Sequence, residues 1–461
     1  MSAVARASLK LSSPQRRRLL KALAATGVLA AVERNVALAQ SAPDYKALVG
    51  ILLWGGNDGD NTLVRYDAAG YQNYAAIRTP ASGVNIPQAQ LLPVQPARLA
   101  TPFGFHPSCG AFKALFDARR LAVIANMGML VQPSTKAGLE TQGQPRPANL
   151  FSHSDQQFSM QTADHAQLLK TGWGGRIADR LDAVNAGNLF PALTSTAGLR
   201  SFVAGATTIP LTVPNGGYQN ASGSNSFQFD ALREAGLREI LAEGSRNTYE
   251  IAAQLLAEEG LASTTVIKPI FDSTTSVVKP FFDGMNNMIA SQLRTIAQMV
   301  EGRDQIGLKR QVFFTQHLGY DTHAQQPGVH AQLLAELSAA MKAFVDAMAA
   351  IGMGDKVTTF TISDFGRTFK PAASQGTDHG WGNYGFVAGG AVNGGDIYGT
   401  LPVQALGGPD DFGKDGRWIP TTALEQFAAP MLRWYGMGEG DLGYILPNLG
   451  AFPGAGLGFM A

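Results

Sequence analysis

Four stretches of the chain are apolar or β-branched at almost every position: Ala47 to Trp54, Leu121 to Asn126, Val312 to Thr315 and Val357 to Ile362. Successive side chains of a strand point to opposite faces, so a run that stays apolar predicts a strand covered on both sides, as in a parallel sheet between two helical layers. Helical spacing alternates with these runs. Phe112, Leu115 and Phe116 mark a helix within His106 to Phe116, and Leu334, Leu337, Met341, Phe344 and Met348 mark one from Gly328 to Ile351. Asn149 to Thr162 reads as a polar helix, and Thr421 to Tyr435 as a final helix with Thr421 or Thr422 as N-cap. Residues 128–150 and about 205–226 read as long loops, and 380–417, dense in glycine, as loops and short strands. The alternation predicts an α/β fold with a mostly parallel central sheet and helices on both faces. From Phe229 to about Gly307 helical patterns alone persist, for example Leu232, Leu237, Ile240 and Leu241, then Ile289, Leu293, Ile296, Met299 and Val300. That stretch reads as a helical insertion into one domain spanning residues 40–461.

The first 39 residues follow a different pattern. Arg16-Arg17-Arg18-Leu19-Leu20-Lys21 precedes the apolar stretch Ala22 to Val32, and Ala37-Leu38-Ala39 offers small residues to a signal peptidase. This combination matches a twin-arginine export signal cleaved after Ala39. The apolar stretch is far shorter than the ~20 residues a bilayer span needs, so no membrane span is expected in the mature form. A periplasmic or secreted protein is expected, with the twin-arginine translocase as its export partner. Beyond residue 39 the chain holds 29 basic residues and 34 acids, a mild net charge of −5 that gives no footprint for nucleic acid. Cys109 is the only cysteine, so disulfides, thiolate zinc clusters and Cys-x-x-Cys redox sites are excluded. Any metal must be held by oxygen and nitrogen.

Such ligands follow the predicted strands. Val49 to Trp54 opens into Gly55-Gly56-Asn57-Asp58-Gly59; Val312 to Thr315 leads to Asp321-Thr322-His323; Val357 to Ile362 ends in Ser363-Asp364, with Asp378-His379 a loop later. Loops at the carboxyl ends of parallel strands converge on one crevice, and a mixture of carboxylate and imidazole suits one or two divalent metals. The pattern therefore points to a metal-dependent hydrolase. Each piece also has a plain reading: a glycine turn at Asp58, a surface His–Asp pair at Asp321 and His323, a loop histidine at His379 bonded to Asp378. Arg367 could clamp the oxygens of a phosphate or sulfate ester, or pair with an acid. Ser152, in Ser152-His153-Ser154-Asp155, opens a predicted helix, where it could act as a metal-assisted nucleophile or simply as an N-cap. Neither a phosphate-binding G-x-x-x-x-G-K-[ST] loop nor a G-x-S-x-G elbow is present.

Six motifs in order, Gly55 to Gly59, Asn149 to His153, Thr171 to Arg176, Gly319 to His323, Ser363 to Thr368 and Gly376 to Gly380, together resemble the bacterial "domain of unknown function 1501" family. The resemblance extends from about residue 46 to about residue 455. That family looks like a branch of the alkaline phosphatase and sulfatase superfamily, which implies an alkaline phosphatase-like fold and a serine nucleophile beside one or two metals. Carried onto this chain, the resemblance implies that Asp58 and Asp364 hold one ion with Ser152, and that Asp321, His323 and His379 hold the other. Arg367 or His153 would hold the non-bridging oxygens. The superfamily commonly has Asp-His where this chain has Asp364-Phe365, which removes one nitrogen ligand. Cys109 lies outside the Cys-x-Pro-x-Arg context from which formylglycine is made, which argues against a standard sulfatase mechanism. The expectation is hydrolysis of phosphate esters, with sulfate second, on a small or polymeric substrate, using Zn, Mn, Mg or Ca. The alternative is a non-catalytic exported binding or assembly protein on the same fold.

Overall fold

The structure is a computed structural model, and it describes residues 44–181, 184–185, 188–213, 235–236, 239–240, 248–454 and 456–461. The export signal with its cleavage site, and most of the segment where the insertion was read to begin, lie outside the described residues. The central sheet contains β1 (Lys46–Trp54), β2 (Leu121–Gly128), β3 (Leu193–Ser195), β4 (Leu211–Thr212), β5 (Arg310–Leu318), β6 (Val357–Ser363), β7 (Asn383–Ala388), β8 (Asp396–Tyr398) and β9 (Thr422–Ala423). They are ordered β8-β2-β7-β6-β1-β5-β3-β4, with β9 paired to β2. The four apolar runs are β1, β2, β5 and β6, and the sheet is mostly parallel, as their pattern requires. One of the short strands expected in the glycine-dense region takes an unforeseen place: β7 lies in the middle of the sheet and runs antiparallel to both β2 and β6.

The two faces of β1 show why the runs are continuous. Ala47, Val49, Ile51 and Leu53 enter one core, while Leu48 and Leu52 enter the other. The first core is covered by α1 (Gly110–Asp117), α5 (Met288–Glu301) and α6 (Gln326–Ala350), and the second by α2 (His153–Thr162), α3 (Trp173–Arg180) and α7 (Leu424–Tyr435). Ile289, Leu293 and Ile296 of α5 are fully buried in the first core. The end of the segment read as an insertion is therefore a layer of the main domain; α4 (Thr248–Asp272) precedes it. α7 starts at Leu424 rather than Thr421, because Thr422 is drawn into β9, and a further helix, Glu439–Ile445, follows it. Among the described residues no helix is long and apolar enough to cross a membrane.

Register places the site. Leu53 pairs with Ser363, and Trp54 pairs with Leu318, so β6, β1 and β5 deliver their carboxyl ends side by side. A separate hairpin, Arg367–Ala372 with Gly376–His379, pairs Arg367 with His379 just past β6.

Candidate metal centre

His153, Asp321, His323 and His379 bring one ligand atom each to within 4.8 Å of one another. They come from three places: the first residue of α2, the loop after β5 (two of them) and the hairpin after β6. The loop after β5 is drawn in by Gly55, whose φ is +112°; a Cβ there would stand 2.3 Å from the Asp321 nitrogen. Only glycine accepts both that conformation and that approach.

Asp321 Oδ1 is the centre of the group. His323 Nε2 lies 3.0 Å from it, His153 Nε2 3.2 Å and His379 Nε2 3.7 Å, and the His323 and His379 Nε2 atoms are 2.9 Å apart. Ligands about 2.0 Å from a tetrahedral ion sit roughly 3.3 Å from one another, which these spacings bracket. The ring orientations fit an ion as well. The Phe151 carbonyl, which can only accept, is 2.7 Å from His379 Nδ1, so Nδ1 carries the proton and Nε2 of the neutral ring presents a lone pair. Burial lowers the pKa of His379 and favours that neutral ring. Asp364 Oδ2, 2.7 Å from His153 Nδ1, fixes the second ring in the same way. Nε2 of His153 is buried and has no hydrogen-bond partner among the described residues. Its 3.2 Å approach to Asp321 is an ion-pair distance without hydrogen-bond geometry; once deprotonated, this nitrogen offers its lone pair to a cation. Burial opposes charge on His153, but Asp364 and then Asp321 outweigh it and raise its pKa. For Asp321, burial is likewise outweighed, by Arg367 and the histidines, and its pKa is lowered.

Several residues take other positions than the sequence suggested. Asp364 stands behind the cluster: it accepts from His153, from the Gly55 N–H at 3.1 and 3.2 Å and from Gln157 Nε2 at 2.8 Å, and its side chain is fully buried. It holds the His153 ring from behind instead of adding an oxygen to the cluster. Asp58 is further removed, because its buried carboxylate is filled by the Arg78 fork at 2.8 and 3.0 Å, Gln326 Nε2 at 2.5 Å and the Asn61 N–H at 3.2 Å. Burial would raise the pKa of Asp58, but Arg78 brings it below the ordinary value. Arg367 is not free to clamp a substrate: it donates to Asp321 Oδ1 at 2.9 Å, to the Gly55 carbonyl at 3.2 Å and to both oxygens of Thr377. His153, expected to hold substrate oxygens, joins the ligand cluster. Phe365 packs its ring 4.7 Å from His153 and 5.0 Å from His379, so the residue standing where a histidine was expected forms the apolar floor of the site.

Ser152 occupies the N-cap position of α2, yet its hydroxyl makes no capping bond. It donates instead to Asp155 Oδ2 at 2.5 Å. Its neighbours on both sides are tied to the cluster, Phe151 through its carbonyl and His153 directly. Arg78, Gln157 and Gln326 were not foreseen, since nothing in their local sequence marks them as partners of distant carboxylates.

Residues 255–411 match the family model described as "Protein of unknown function (DUF1501)". The matched segment contains three of the six motifs, including Asp321, His323, Asp364, Arg367 and His379. No curated protein matches the chain. Among solved structures, Ps i-CgsB has 9% identity with a TM-score of 0.35, covering 86% of this chain and 74% of its own. The PsFucS1 sulfatase from Pseudoalteromonas sp. has 12% identity with a TM-score of 0.32, covering 92% and 71%. A mutant of the alkaline phosphatase PafA has 10% identity with a TM-score of 0.28, covering 71% and 64%.

Proposed function

We propose that this is an exported hydrolase of phosphate esters, with sulfate esters second, that works with a divalent ion held by His153, Asp321, His323 and His379 and with Ser152 as nucleophile. The observation that carries the reading is the convergence of three imidazole Nε2 atoms and one carboxylate oxygen beside a serine whose flanking residues are both tied to that cluster. Three nitrogen donors favour zinc or another transition ion over magnesium or calcium, which prefer oxygen. Such an ion supplies Lewis acidity and neutralises charge on transferring oxygens. The chain's own contributions are distinct. Asp364 and the Phe151 carbonyl keep two rings in the tautomer a cation needs, Arg367 fixes Asp321, and the amino-terminal end of α2 places positive potential next to Ser152. The export route and an ester substrate, small or polymeric, belong to the same proposal.

The test is turnover of an aryl phosphate, a phosphodiester and an aryl sulfate by the purified chain, with and without added zinc or manganese. Metal-dependent turnover abolished by Ser152→Ala and by Asp321→Asn supports the hydrolase. The alternative, an exported binding or assembly protein, draws on one observation: Arg367, the cation expected to hold substrate oxygens, is spent on Asp321. Metal retention with no turnover of any ester decides for it.

A further inference from the structure

The two ligand-bearing segments after β5 and β6 are joined by one buried amide. Gln326, the first residue of α6, is fully buried. Its Oε1 accepts from Thr322 Oγ1 at 3.1 Å and from Thr377 Oγ1 at 2.5 Å, and its Nε2 donates to Asp58 Oδ2 at 2.5 Å. Thr322 sits between the ligands Asp321 and His323; Thr377 lies two residues before His379. The direction of each bond is forced. The Asp58 carboxylate, already paired with Arg78, only accepts, so the amide nitrogen must face it and the amide oxygen must receive both threonine hydroxyls. Thr377 continues the chain outward: its hydroxyl accepts from Arg367 Nε at 3.2 Å, and Arg367 holds Asp321. The backbones are matched to the same arrangement, with the Thr377 N–H bonded to the Thr322 carbonyl at 3.1 Å and the Gln326 N–H to the Gln375 carbonyl at 2.9 Å.

We infer that Gln326, anchored on the Asp58–Arg78 pair, is a positioning residue of the metal centre, setting the separation between Asp321 and His323 on one loop and His379 on the hairpin. This rests on the metal-binding reading above. It also gives Asp58 a role: the carboxylate holds the amide that holds the ligands. A buried polar network of this kind works only when every member has its partner, so removing the amide takes the acceptor from two threonine hydroxyls and one of the donors from the Asp58 carboxylate.

The experiment uses cobalt(II) as probe, measuring its affinity by calorimetry and its visible ligand-field spectrum in the full chain, with circular dichroism and a thermal melt reporting the fold. Gln326→Leu is expected to weaken cobalt binding about tenfold, the lower range for residues that orient ligands, and to alter the spectrum. Gln326→Glu, which sets two carboxylates face to face, is expected to weaken it as well. Thr377→Val, which removes one of the two hydroxyls that the amide receives and leaves the Asp58–Arg78 pair intact, is expected to weaken it too, and the loss in Gln326→Leu with Thr377→Val should be smaller than the sum of the two single losses. An unchanged affinity and spectrum in Gln326→Leu, or losses that simply add in the double variant, overturns the inference while the metal centre stands. Should Gln326→Leu fail to fold, Thr377→Val decides: an unchanged affinity and spectrum there overturns the inference. A parent chain that binds no cobalt removes the metal-binding reading and this inference together.

Discussion

Glu425, in the first turn of α7, is fully buried, and among the described residues neither carboxyl oxygen has a partner in hydrogen-bond geometry. The nearby Asn448 amide, which opposes the effect of burial on this group, is committed to the Leu130 and Val131 carbonyls. Burial therefore raises the Glu425 pKa from 4.5 to about 7. A difference of that size is worth about 3 kcal/mol between the protonation states. Below pH 4.5 the folded and unfolded chains both hold the proton. As pH rises toward 7 the unfolded chain gives it up while the folded chain keeps it, so stability present in acid is lost, up to about 3 kcal/mol. Glu425→Gln removes the titration without changing the shape. Urea unfolding of parent and variant from pH 4.5 to about 8 isolates the group, because every other titration is common to both proteins. The variant's stability relative to the parent should climb by about 3 kcal/mol across that range. A difference that stays flat with pH would mean that the carboxyl is ionised and partnered in the folded chain, and would refute the reasoning.

Other outcomes follow from the same geometry. Asp364→Asn should lower zinc affinity about tenfold without unfolding the chain, because it weakens the bond that aims His153; an unchanged calorimetric affinity would place Asp364 outside the centre's support. Gly55→Ala adds a Cβ 2.3 Å from the Asp321 nitrogen at a φ of +112°, so it should both destabilise the fold and displace a ligand, seen as a lower melting temperature together with weaker zinc binding. Leu293→Ala, at a fully buried position of α5, should cost about 2–5 kcal/mol in urea unfolding; a loss near zero would contradict the placement of α5 in the main core.

The sheet was legible because its strands are buried on both faces, and a run such as Leu121 to Ala125 allows no other reading once its length is too short for a helix. The place of β7 was not, since a short strand such as Asn383-Tyr384-Gly385-Phe386-Val387-Ala388 among glycine-rich turns carries no sign that it pairs with β2 and β6. At the site, Asp321, His323 and His379 were visible as acid and imidazole beyond the ends of apolar runs. The fourth member, His153, was given another task, because sequence separation conceals that the first residue of α2 meets Asp364 and the cluster. Asp58 and Arg367 were read as facing a ligand, whereas each meets a charge of the opposite sign inside the protein. Nothing local to Arg78 or Asp321 announces those pairings; they depend on which loops the register of β1, β5 and β6 brings together.

The most direct measurement is X-ray absorption at the zinc edge, on protein loaded with zinc and dialysed. The account predicts one ion per chain, with three imidazole nitrogens and one carboxylate oxygen at about 2.0 Å. It also predicts loss of that shell in His153→Ala and in Asp321→Ala. Zinc that dialyses away, or a shell unchanged by both substitutions, would contradict it.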